Sequence, residues 1–156
     1  MKLSTAWTRA INSAYRNPNI FLTMNFNRNI GTERMAAYAK RFFALTEREL
    51  LGRNYYKMRE GRIDCLGVIE SPYTNPHIHW YGQCPQQVLK DDAAHYSELF
   101  TETFKKVVPS GTIDLRIIWN KRRLGGYLSK QLYLPDRGDR ILFTRDFWPP
   151  GSELED

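Results

Sequence analysis

Apolar and polar positions along this chain follow two periods, one of two residues and one close to 3.6. Residues 19–27, Asn-Ile-Phe-Leu-Thr-Met-Asn-Phe-Asn, alternate as a first strand does. After Gly31, the residues Met35, Tyr38, Ala39, Phe42, Phe43 and Leu45 or Thr46 recur at helical spacing. Thr32 or a neighbour is therefore expected to cap a helix running to about Leu51, with Gly52 marking its stop. The aromatic stripe on that helix is a face to bury. Residues 53–61 form a polar, basic connection.

Strands are predicted from about Ile63 to Glu70 and from about His77 to Gly82, separated by the turn chemistry of Ser71 to Pro76. Gln83-Cys84-Pro85 breaks the sheet. A second helix is predicted over roughly Gln86 to Val107, with Val88, Leu89, Tyr96, Leu99, Phe100, Phe104 and Val107 as its apolar face. Pro109-Ser110-Gly111 is a turn, and residues 113–119 alternate as a strand. Asn120 to Gly126 reads as a basic loop, Tyr127 to Leu134 as a short helix and Arg140 to Arg145 as a last strand.

The order β-α-β-β-α-β, with additions, predicts an α+β fold: a ferredoxin-like or split βαβ antiparallel sheet. Two amphipathic helices cover one face of such a sheet and leave the other for an active site. One domain is expected over residues 1–148, followed by an acidic, flexible tail at 149–156.

Composition changes this picture little. A chain of 156 residues can bury roughly 70% of its unfolded surface without staples. No run of 18 apolar residues exists to span a membrane, so no membrane partner is expected. The first eighteen residues hold Lys2, Arg9 and Arg16 and no continuous apolar stretch, so they read as an ordinary N-terminal segment. Cys65 and Cys84 fit no zinc spacing and are expected to stay reduced.

Charge says more. The formal net charge is +6 and the pI near 9.4, which favours polyanionic partners. Arg116, Lys121, Arg122, Arg123 and Lys130 fall in one stretch that contains no acid. The acids collect instead in residues 91–102 and in the tail.

The chemistry concentrates in residues 69–82. On a strand, His77 and His79 share a face about 7 Å apart, so both imidazoles can reach one cation while Ile78 and Trp80 bury behind them. Taken alone, such a pair also fits a half-exposed strand with solvated rings. Glu70, seven positions before His77 and across the turn, adds an oxygen ligand if the two strands are neighbours. Two imidazoles and a carboxylate suit a divalent metal and leave positions open for substrate oxygens; Mn²⁺ is favoured on affinity and Mg²⁺ on abundance. Further along, Tyr127, Lys130 and Gln131 fall on one helical face at i, i+3 and i+4. A free phenol has a pKa of ~10, so forming the phenolate at neutral pH costs ~4 kcal/mol unless a cation helps. Lys130 or the metal could supply that help.

The histidine pair with an upstream acid and a downstream Tyr-x-x-Lys resembles the HUH endonucleases. Phe21-Leu22-Thr23 is similar to the first motif of their rolling-circle replication initiators. In relaxases of this superfamily the tyrosine precedes the histidines, whereas Tyr127 follows His79 by 48 residues, the order of replication initiators. Tyr133, six positions on, falls about 240° further round a helix, so one nucleophile is expected rather than two.

The resemblance implies site-specific nicking and rejoining of single-stranded DNA at the replication origin of a plasmid or virus. In that reading Glu70, His77 and His79 hold the metal, Tyr127 forms a 5′-phosphotyrosine link, and Lys130 orients or balances the phosphate. Arg116, Lys121, Arg122 and Arg123 hold the flanking backbone, and Tyr55, Tyr56, Tyr73 or Tyr81 could stack bases. A helicase or a second copy of the chain stands as a further partner. The implied setting is the cytoplasm of a plasmid or phage host, or the nucleus for a eukaryotic virus. Gln131 matches the metal-binding glutamine of single-strand transposases, which keeps that alternative open. A non-catalytic single-strand binding module and a metal-dependent hydrolase with Glu70 as base are the other two.

Overall fold

The computed structural model describes residues 18–58, 61–70, 74–84, 93–117 and 141–148. Its elements are β1 (Ile20–Asn25), α1 (Thr32–Leu51), β2 (Asp64–Glu70), β3 (His77–Gln83), α2 (Ala93–Val107), β4 (Thr112–Ile117) and β5 (Ile141–Phe143). Short 3-10 turns cover Tyr55–Lys57 and Thr144–Phe147. The expected short helix from Tyr127, the basic loop, the first residues of the second helix and the tail lie outside the described residues.

The strands form one antiparallel sheet in the order β4-β1-β3-β2-β5. β1 and β2 run parallel with β3 inserted between them, and β3 and β4 run parallel with β1 between. Two interleaved split βαβ units of this kind are the ferredoxin-like arrangement expected from the element order. β5 adds a short strand beside β2.

The two-residue period of each strand sends one set of side chains to the helices. Ile20, Leu22 and Met24 of β1, Cys65 and Ile69 of β2, and Ile78 and Trp80 of β3 are buried there with Met35, Ala39, Phe42 and Phe43 of α1. Phe42 meets Phe100 and Phe104 of α2 edge-on at 5.8 and 5.7 Å between centroids, and Phe43 meets Trp80 at 4.8 Å. Gly67 is opposite Trp80 in the β2–β3 register, and a methyl group there would stand 2.6 Å from the indole ring. The bare backbone at Gly67 is what lets Trp80 lie flat in the core.

Element ends depart from the sequence expectation where side chains intervene. α1 begins at Thr32, and its cap is the neighbouring Gly31, within the expectation, although no side-chain hydrogen bond closes the end. Gly52 does end it, at φ 87°, with its N–H bonded to the Arg48 carbonyl. β1 stops before Asn27, which takes a φ of 54° and donates from its side-chain amide to the Ser110 carbonyl. β5 stops at Phe143 because the Thr144 hydroxyl accepts from the Cys65 N–H at 2.8 Å and donates to the Ile63 carbonyl at 3.1 Å, taking the place of ladder bonds. Cys65 and Cys84 are both free and buried, and burial pushes the Cys84 thiol up to about 12.

Candidate metal centre

The face of the sheet turned away from α1 carries Phe21 and Thr23 of β1, Val68 and Glu70 of β2, His77, His79 and Tyr81 of β3, and Asp114 and Arg116 of β4. Glu70 and His77 are direct cross-strand partners at the mouth of the β2–β3 hairpin, and His79 is paired with Val68 on one side and Thr23 on the other. The hairpin register thus delivers the three predicted ligands to one point. Oε2 of Glu70 is 2.6 Å from Nε2 of His77 and 2.6 Å from Nε2 of His79. The three donor atoms fall within 4.8 Å of one another.

Each imidazole is also held from behind. Nδ1 of His77 donates to the Asn75 carbonyl at 2.7 Å, and Nδ1 of His79 lies 3.0 Å from the Thr23 hydroxyl. A ring fixed through one nitrogen presents the other at a set angle, which is how metal-binding histidines are oriented. Phe21 stacks on His79 with centroids 5.3 Å apart. The sequence pointed to the ligands, and to Thr23 only within the Phe21-Leu22-Thr23 likeness; it gave neither Thr23 nor Asn75 a part in holding the rings, because both act through strand pairing or turn geometry.

Glu70 and His79 are buried, 5% and 7% exposed, and a carboxylate at that depth needs compensation. Burial alone would raise the Glu70 carboxyl; the hydrogen bonds from His77 and His79 outweigh it and hold the group down at about 2. The same hydrogen bond, donated to Glu70, raises the His77 imidazole against a smaller opposing effect of burial. Both ring nitrogens of His77 thus face acceptors, the Asn75 carbonyl and the Glu70 carboxylate. An ion would replace the Nε2 proton and leave the Asn75 bond intact.

The donor set fits a divalent ion. An octahedral ion about 2.1 Å from each of three facial ligands separates neighbouring donors by about 3 Å; Glu70 would part from each imidazole by a few tenths of an ångström, and the two ring nitrogens, within 4.8 Å of each other, would close up to match. Two nitrogens and one oxygen from three residues leave further positions for outside oxygens.

The other predicted site residues divide. Tyr127, Lys130, Gln131, Lys121, Arg122 and Arg123 lie outside the described residues. Arg116 stands exposed on the ligand-bearing face of β4, across from Phe21, with its Nε bonded to Asp114 at 2.8 Å. That pair is open to water and worth little. Tyr81, two positions beyond His79, is fully buried, and burial raises its phenol; it offers neither an exposed ring for a base nor an easily ionised hydroxyl. Tyr55 and Tyr56 belong to the turn after α1, on the helix side of the sheet and away from the histidines. Tyr73 lies outside the described residues.

Compared with family models, curated proteins and solved structures, the chain matches none.

Proposed function

We propose that this chain nicks and rejoins single-stranded DNA in a metal-dependent reaction of the HUH replication-initiator type. The observation that carries the reading is the convergence of both Nε2 atoms on one Glu70 oxygen, with each Nδ1 anchored behind. A solvated pair of strand histidines needs no such anchoring, and a structural salt bridge needs only one ring. Glu70, His77 and His79 would hold the ion, with Mn²⁺ preferred over Mg²⁺ by the two imidazoles. When bound, it would supply Lewis-acid polarisation of a phosphoryl oxygen.

The chain's own residues do the rest. The Tyr127 oxygen forms a bond to phosphorus, the bond from phosphorus to the 3′ oxygen breaks, and that oxygen leaves as a hydroxyl after taking up a proton. Lys130, three positions after Tyr127 in the sequence, would favour the phenolate and then orient or balance the phosphate. The link to the 5′ phosphate conserves the ester, so attack by a 3′ hydroxyl rejoins strands. Arg116, with Lys121, Arg122 and Arg123, neutralises flanking phosphates.

The test is incubation with a pool of single-stranded oligonucleotides and Mn²⁺, followed by denaturing electrophoresis. A denaturation-resistant adduct that disappears with EDTA and with Tyr127→Phe is the expected result. Cleavage that survives Tyr127→Phe makes the protein a hydrolase instead. Binding with neither cleavage nor adduct makes it a binding module.

A further inference from the structure

Two cavities adjoin on the helix side of the molecule, across the sheet from Glu70 and the histidines. One, of about 440 Å³, is bordered by Arg48 of α1, by Arg53 and Asn54, and by Tyr55 and Tyr56 of the 3-10 turn. The other, of about 370 Å³, has Phe43, Phe147, Trp148 and Tyr55 for walls and Lys40 at its border. Ala44 and Tyr55 belong to both, so the two form one groove. Each is of the size small ligands occupy.

The charge of this groove has one sign. Lys40, Arg48 and Arg53 are exposed and enter no ion pair among the described residues. The one acid in the lining, Glu47, is buried and bonded to Arg62 at 2.6 Å, so it offers no repulsion to an incoming anion. α1 ends here with a partial charge of about −0.5, which two full positive charges on Arg48 and Arg53 outweigh. Tyr56, in the same lining, is 42% exposed and carries the Lys57 ammonium 5.7 Å from its ring centre, a further cation at this surface. Cations grouped around one exposed aromatic ring are what a chain of phosphates and flat bases fits, whereas an acidic peptide would have no use for the ring.

We infer that this groove is a second binding surface for single-stranded nucleic acid, with phosphates on Arg48 and Arg53 and a base against Tyr56. It stands without the nicking reading, because none of its residues touches the metal ligands. On a chain that does nick, it would hold a stretch of strand away from the cleavage point.

Fluorescence anisotropy of a labelled oligothymidylate with the full chain in EDTA tests this, keeping the metal out of the measurement. Arg48→Gln with Arg53→Gln should weaken binding and flatten the log–log salt slope by about 1.4, or 0.7 for each phosphate no longer neutralised. Tyr56→Ala should weaken binding by about tenfold and leave the slope unchanged. All three side chains are exposed, so melting temperatures should stay at the wild-type value. Unchanged affinity and slope in the arginine variant overturn the proposal. So does an effect of the arginines with none of Tyr56, or competition by polyglutamate as strong as by the oligonucleotide. Adduct formation in Mn²⁺, measured separately on the same variants, reports on the nicking reading alone.

Discussion

Thr23 and His79 face each other across the β1–β3 pair, with the threonine hydroxyl 3.0 Å from Nδ1 of the ring. The contact fixes which nitrogen of His79 turns toward Glu70. Thr23→Val keeps the strand shape and the branched side chain but removes the hydroxyl. Metal affinity should fall about 10- to 100-fold, the usual effect of removing such an outer partner, with little change in melting temperature without metal. Calorimetric titration with Mn²⁺ and thermal melts in EDTA check the two halves. An unchanged affinity would mean that Phe21 stacking alone orients the ring.

Protonation of the triad sets a pH window. The His77 imidazole is raised above its ordinary 6.5, so its contribution to stability is complete below 6.5 and is lost as pH climbs through the folded value. The Glu70 carboxyl is lowered from 4.5 to about 2, so its contribution is complete above 4.5 and disappears as pH falls toward 2. From these two groups, the metal-free protein should be most stable between 4.5 and 6.5. A divalent ion needs His77 deprotonated at Nε2, so the melting-temperature gain from Mn²⁺ should grow between about pH 6 and about pH 8. Thermal melts in EDTA and in Mn²⁺ across that range check the sign. A gain that shrinks with rising pH would sink the site.

Gly67 tests the fit between sheet and helices. Gly67→Ala puts a methyl 2.6 Å from the Trp80 ring, which is packed against Phe43 and Phe147 and cannot retreat freely. Overpacking of this kind costs about 1–3 kcal/mol. Chemical denaturation should show that loss, and pairing the change with Trp80→Phe should recover part of it.

The metal ligands are legible in the sequence because their logic is local: period two puts His77 and His79 on one face, and the proline-rich turn returns the chain so that Glu70 meets them. Thr23 enters the sequence reading only through the Phe21-Leu22-Thr23 likeness; its hold on His79 depends on β1 lying beside β3, a fact of topology rather than of spacing. The end of β5 differs from the sequence expectation because Thr144 looks like one more strand residue until its hydroxyl takes the Cys65 amide. Glu47 is the instructive miss. It stands four residues after Phe43, on the stripe that buries, yet as an acid it reads as a surface position. Its partner Arg62 lies in the segment leading to β2, and nothing in the spacing joins the two.

That pair makes the sharpest stability prediction. Arg62 is 7% exposed and Glu47 1%; the guanidinium also lies 4.5 Å from the centre of the Trp148 ring. Burial raises the Glu47 carboxyl, and the Arg62 hydrogen bond and charge pull against that rise. Removing the arginine leaves an uncompensated buried carboxylate, so Arg62→Met should cost about 3–5 kcal/mol near neutral pH. The carboxyl can escape by taking a proton, so the loss should shrink as pH falls. Glu47→Leu combined with Arg62→Met should be much less harmful than Arg62→Met alone, because no charge is then stranded. Urea denaturation of the three variants at two pH values decides it. Equal losses for the single and double changes would show that Arg62 acts by packing on Trp148 and not by pairing.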